Sequence, residues 1–174
     1  FGFTGSDTSS IQIMMNAVAH SGPDDRGEYL SSGISLGHTR LAILDTSYRG
    51  KQPMFSPDRK VVSVFNGEIY NFNELRSKYL NEYHFRSGSD AEVIPYLYEK
   101  FGIDFIHKLR GVFAIAIYDA RSKFLYLGLL HDSSLIIAQL LFLSTAFISV
   151  GVFLSYFLLK NSKPKKNVKN LSVD

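Results

Sequence analysis

The 174 residues contain no cysteine, so the chain holds no disulfide, no zinc–thiolate site and no thiol nucleophile of its own. It also lacks a useful charge surplus: 19 Lys+Arg against 16 Asp+Glu give +3, and five lysines (Lys160, Lys163, Lys165, Lys166, Lys169) follow residue 159. The body ahead of them is near neutral and carries no basic stripe interleaved with aromatics, so nucleic acid is not expected as a partner. The amino-terminal FGFTG has none of the charged region, apolar run and cleavage site of a signal peptide, and export is not expected. No internal repeat or low-complexity segment is present. The length suits one domain with a proper core, plus an appendage.

The stretch 61–71, VVSVFNGEIYN, organises the rest. Its apolar run reads as a buried strand that stops at Asn66-Gly67-Glu68, and the glycine marks a close backbone approach. Asn-Gly is first of all a turn signal. An Asn amide beside a bare N–H also suits an oxygen that becomes negative during acyl transfer. Both readings stand on the triplet alone.

Phe1 to Gly5 is a short strand candidate. From Ser9, Ile11, Met14, Met15 and Val18 fall at i, i+3, i+4 and i+7 and define one helical face, with the methionines as core filler. The loop HSGPDD at 20–25 ends that helix. ISLGHTRLAIL at 34–44 is strand-like and carries His38 and Arg40. A guanidinium inside an apolar strand needs an anion, which Asp45 or another carboxylate supplies in a purely structural reading, or else a wet cleft. After the proline-interrupted loop 50–59, Asn71-Phe72-Asn73-Glu74 and Ser89-Asp90-Ala91-Glu92 both have capping-box spacing ahead of helices. Pro95 sits late for a first turn and is expected to bend the second of these. VFAIAIY at 112–118 alternates large and small apolar residues and reads as a strand covered on both faces. A turn at 119–123 and a returning strand at 124–127 follow.

Five motifs stand in order: HSGPD at 20–24, GHTRLAILD at 37–45, FNGEIYNF at 65–72, SDAEV at 89–93 and LRGVFAIAIYD at 109–119. Their order and spacing resemble the glutaminase domain of class II glutamine amidotransferases, of the asparagine synthetase type. The resemblance covers residues 1–128. It implies an α+β fold, the αββα sandwich of N-terminal nucleophile hydrolases, here incomplete. It implies L-glutamine as substrate and a pocket made of Arg40, Leu41, Ile43, Asn66, Gly67, Glu68 and Asp90. Arg40 would take the α-carboxylate bidentately. Asp90, helped by Glu68, would take the α-ammonium, although out of context it is a helix-start carboxylate. Asn66 and the Gly67 N–H would form the oxyanion hole. No metal or cofactor is expected in this chain, since ATP and magnesium would belong to a synthetase domain or subunit. That partner is absent from these residues, and cytoplasmic localisation is what the family implies.

The nucleophile in the family is an N-terminal Cys, and two alignments of the start are open. Cys-Gly-x-x-Gly places Phe1 where the cysteine belongs; Cys-Gly-Ile-Phe-Gly-Phe places Phe1 fourth, after three missing residues. Ser21 stands where the family pattern has Arg. After Gly128 the family's later Arg-Asp and Lys-Pro-Leu-Tyr-Tyr segments do not follow. Instead 133–159 is uncharged and long enough for a membrane span, so a hydrophobic helix over 129–160 and a basic tail over 161–174 are expected. Lysines after that span favour a cytosolic tail. A reading-frame disruption near Gly128 is the competing account. Two functions follow: a glutamine-hydrolysing half that works once a cysteine leads it, or a non-catalytic, membrane-tethered domain that binds glutamine.

Overall fold

The computed structural model of the chain describes residues 1–131 and 134–141. Two antiparallel sheets stack face to face. The first has the order β1 (Gly2–Thr4), β3 (Ile34–Arg40), β2 (Asp25–Ser31), and the second β4 (Met54–Phe55), β5 (Val61–Ile69), β6 (Gly111–Asp119), β7 (Phe124–His131), β8 (Ser134–Leu141). Helix α1 (Thr8–Ala17) lies against β3, burying Ile11 and Met15. Helices α2 (Phe72–Tyr79) and α3 (Val93–Phe101) close the outer face of the second sheet. Helix, sheet, sheet and helix are the layers that the resemblance implies.

The two-residue period of a strand explains the packing. In β5, Val61, Phe65 and Ile69 join the core under α2 and α3, while Val62 and Val64 point at the other sheet. In β6 the large Phe113, Ile115 and Ile117 face the helices, and the small Ala116 faces the first sheet. From β3, Ile34 and Leu36 complete the layer between the sheets. Both inward faces change character toward the ends of their strands. Beyond Leu36 come His38 and Arg40, and beyond Val64 come Asn66 and Glu68.

Several expectations need correction. Asn66-Gly67 is no turn: β5 runs through both, with Asn66 opposite Ala114 and Gly67 opposite Phe113. The strand signal over 34–44 ends at Arg40, where the chain leaves the sheet. Asn71 precedes α2 without capping it, because its amide donates to Lys108 O at 2.9 Å and accepts from Arg110 N at 2.9 Å. Pro95 is the third residue of α3 and falls in its first turn, where no intrahelical donor is needed. The hydrophobic helix expected from 129 is contradicted at its start. β7 runs on to His131, and Ser134–Leu141 pairs with it from His131↔Ser134 to Phe124↔Leu141. An apolar octet fits strand or helix equally by pattern, and the open edge of β7 supplies a partner that decides for strand. Among the described residues no helix is long and apolar enough to cross a membrane. The rest of the expected span and the basic tail lie outside the described residues.

Candidate functional site

Where the two inward faces turn polar, a cleft of about 230 Å³ opens between β3 and β5. Arg40, Leu41, Ile43, Asn66, Gly67, Glu68 and Asp90 all line it, so every residue singled out from the sequence is brought to one place. His38, Gln52 and Ser21 line it too. Leu41 and Ile43 stand on the rim, 56% and 77% exposed.

Gly67 has φ +135, a region that L side chains rarely adopt, and a Cβ there would meet Val112 O at 2.2 Å. Only glycine lets β5 and β6 approach at this point. The neighbouring strand β4 is only two residues long, so beyond it the outer edge of β5 has no strand beside it among the described residues. Side chains take over that edge. The Phe65 N–H donates to Gln52 Oε1 at 2.7 Å, and the Ile69 N–H donates to Asp90 Oδ2 at 2.8 Å. By strand alternation the N–H of Gly67 falls between these two, on the edge facing the cleft.

Asp90 is buried at the start of the turn that leads into α3, and Ser89 caps that turn by accepting from Ala91 N. Burial pushes its carboxyl above the usual value of 3.8, and the negative charge of Glu68 adds to the rise. The loop that carries Asp90 is held from behind. Buried Glu92 accepts from Arg86 N at 3.0 Å and Ser87 N at 2.8 Å, while Arg76 donates to Ser87 O at 3.1 Å and Ser89 O at 2.8 Å.

Arg40 is buried, and its guanidinium holds the loop that follows β3. Nη1 donates to Ser47 O at 2.9 Å, and Nη2 donates to Leu44 O at 3.2 Å and to Asp45 O. The Asp45 carboxylate does not pair with it but accepts from Ser47 N at 3.0 Å and Gly88 N at 2.6 Å, which ties this loop to the one bearing Asp90. Of five guanidinium hydrogens, one on Nη1 and the one on Nε have no partner in that set. Gly50 packs against the guanidinium so closely that a Cβ would lie 2.2 Å from Nη2.

His38 Nε2 meets Phe65 O at 3.0 Å. A carbonyl only accepts, so Nε2 carries the proton and Nδ1 is a bare acceptor, buried and without a partner among the described residues. Burial pushes the imidazole down to about 4. A second cavity of about 270 Å³, mostly apolar, adjoins the cleft and shares His38, Phe65 and Asn66 with it. Phe1 opens onto this cavity, and its amino group, lowered by burial, donates to Gly37 O at 3.1 Å.

Sequence reasoning missed Gln52, Arg76 and Glu92. Gln52 sits in a loop with no periodic signal, and its role depends on β4 stopping short. Glu92 carries only a capping-box signal in the sequence, and Arg76 carries none.

Comparison with known proteins gives the family. Residues 1–130 match the model of the glutamine amidotransferase domain. Asparagine synthetase [glutamine-hydrolyzing] 1 of Arabidopsis thaliana is 47% identical over 106 residues, which are 61% of this chain and 18% of that protein. Asparagine synthetase B of Escherichia coli K12 is 37% identical over 137 residues, 75% of this chain and 24% of that protein. Amidase chyE of Penicillium rubens is 40% identical over 115 residues, 66% of this chain and 17% of that protein. The chain thus spans less than a quarter of these relatives. Glutamine PRPP amidotransferase of Bacillus subtilis superposes with a TM-score of 0.60 at 17% identity, over 78% of this chain and 40% of that one, a likeness of fold. Over residues 1–130 the chain belongs to the glutamine amidotransferase domain family.

Proposed function

We propose that this domain binds L-glutamine in the cleft between β3 and β5 and hydrolyses its side-chain amide when an N-terminal cysteine is supplied. The observation that carries the reading is Asp90: buried, held by backbone N–H groups of Ile69, Ala91 and its own residue, and without an ion pair among the described residues. A carboxylate so placed, beside Glu68, calls for a cation of the ligand. Arg40 lies in the same cleft with two guanidinium hydrogens to offer an anion. An α-ammonium and an α-carboxylate on one carbon satisfy both. The amide oxygen then falls to the Asn66 side chain and the Gly67 N–H, on the edge that β4 leaves uncovered.

The nucleophile is a matter of strand register. Gly2 pairs with Leu36, and Phe1 exchanges hydrogen bonds with Gly37. Continuing that register by three residues sets the first of them opposite Arg40. A leading Cys-Gly-Ile would therefore carry its thiol and α-amine to the cleft. The thiol adds to the amide carbon, the oxyanion rests on Asn66 and Gly67, the α-amine passes the thiol proton to the leaving ammonia, and water releases glutamate. The relatives' names, asparagine synthetase [glutamine-hydrolyzing], support a synthetase partner that uses the ammonia; aspartate as acceptor, with ATP and magnesium on the partner's side, is what the resemblance implies. The second reading, binding without hydrolysis, is favoured by the lack of any cysteine in these residues.

Glutamine titration of the full chain by calorimetry, with ammonia assays on the chain and on its Cys-Gly-Ile extension, tests the proposal. The chain should bind without releasing ammonia, and the extension should release it. In the extended chain Arg40→Ala should mainly raise KM, and Asn66→Ala should lower kcat by about 10²- to 10³-fold. No binding of millimolar glutamine by either form would overturn the reading.

A further inference from the structure

The peptide that joins Phe65 to Asn66 is gripped from two sides. Its carbonyl oxygen accepts from His38 Nε2 at 3.0 Å and from Gln52 Nε2 at 3.0 Å, while the Phe65 N–H donates to Gln52 Oε1 at 2.7 Å. Gln52 is buried, and its amide acts as one residue of a strand that, among the described residues, the sheet lacks beyond β4. His38 reaches the same oxygen from the other sheet. A carbonyl has two lone pairs, so this one is saturated.

We propose that His38 and Gln52 are positioning residues that fix the Phe65–Asn66 peptide plane, and through it aim the Asn66 amide and the Gly67 N–H. The inference rests on the reading of Asn66 and Gly67 as oxyanion donors. The plane needs fixing because the next residue, Gly67, sits at φ +135, where glycine has wide freedom and no side chain to pin it. A peptide free to rotate there would swing both donors at once. The single-proton tautomer of His38 makes the grip one-directional: Nε2 gives its hydrogen to the carbonyl and takes no part in proton transfer. Gln52 is fixed differently, since its amide both gives and takes along the strand edge, so it cannot turn over without losing both bonds.

Two measurements separate this idea from the function it rests on. In the full chain without ligand, hydrogen exchange should speed up about tenfold or more at Phe65 and Asn66 in His38→Ala and Gln52→Ala, while amides of α3 keep their rates. In the Cys-Gly-Ile-extended chain, both variants should lower kcat about tenfold with KM within about twofold. His38→Gln, whose Nε2 hydrogen can reach the same carbonyl, should recover most of that loss. Unchanged exchange at Phe65 and Asn66 would overturn the clamp whatever the activity, as would a rise in KM with kcat intact. An extended chain without activity but with the local change in exchange would leave the clamp standing and count against the glutaminase reading instead.

Discussion

A Cβ placed on Gly67 would lie 2.2 Å from the carbonyl oxygen of Val112 on the neighbouring strand, and 2.6 Å from the Phe113 Cα. Both obstacles are backbone, so no side chain can give way. Gly67→Ala also meets an unfavourable φ of +135. The strands would have to part, with a cost of about 3 kcal/mol or more. Urea titration should show a lower midpoint, and a variant with wild-type stability would mean that β5 and β6 are not this close.

Arg76 links stability to the site. Its guanidinium donates to the carbonyls of Ser87 and Ser89, stacks over Phe85 at 4.2 Å and stands 4.0 Å from the buried Glu92. Arg76→Met keeps the stem but leaves buried Glu92 with only the half-exposed Arg86 as a nearby cation, which should cost about 3 kcal/mol. Glutamine binding should weaken as well, because the freed segment 87–89 leads directly into Asp90. Denaturant midpoints and calorimetry on the same samples should move together, and a stability loss with intact affinity would separate the buttress from the pocket.

Asp90 should give glutamine binding a pH dependence of its own. Burial raises its carboxyl above 3.8, so in the free domain it takes up a proton at a higher pH than a surface aspartate does. The protonated acid no longer attracts an ammonium. Affinity should therefore decline on acidification before ordinary carboxylates titrate. Asp90→Asn should bind weakly at every pH with a flattened profile. A profile unchanged by Asp90→Asn would move the ammonium to Glu68.

Much of this site was legible because strand periodicity is strong. The alternation of Phe113, Ala114, Ile115 and Ala116 named a strand covered on both faces, and the five ordered motifs placed Arg40, Asn66, Gly67 and Asp90 in one pocket, where they stand. Asn66-Gly67 misled because a turn signal is local, whereas the partner that keeps it extended, Val112 to Ala114, is far along the chain. For Arg40 the sequence left open a carboxylate of the chain or a wet cleft; the guanidinium lies in the cleft and also holds carbonyls of the loop that follows, and backbone acceptors leave no mark in a sequence. Residues 134–141 were ambiguous in principle, since an apolar run has the same look in a helix and in a strand. The exposed edge of β7 decided, and that edge is a property of the fold.

His38 should make the fold sensitive to mild acid. Its folded value of about 4 lies below the ordinary 6.5, chiefly through burial, with the N-terminal ammonium and Arg40 pushing the same way and Phe65 O and Asp25 opposing. Above pH 6.5 the imidazole is neutral in both folded and unfolded chains, and its full contribution to stability is present. Between 6.5 and 4 the unfolded chain takes up a proton that the folded chain refuses, so stability is lost as pH falls. From pH 6.5 to 5 the loss due to His38 should approach about 2 kcal/mol. The carboxyls of Asp45 and Asp58, held below 3.8 by hydrogen bonds from Ser47 and Lys60, weaken the fold only at lower pH, whereas the lowered Phe1 amino group and the raised Asp90 carboxyl also shift the proton balance on acidification, so the difference between the parent chain and His38→Gln is what isolates the imidazole. His38→Gln keeps a donor to Phe65 O and removes the titration, and it should flatten the decline. Urea midpoints at pH 7, 6 and 5 for both chains measure this, and parallel lines would show that His38 is not the group that titrates.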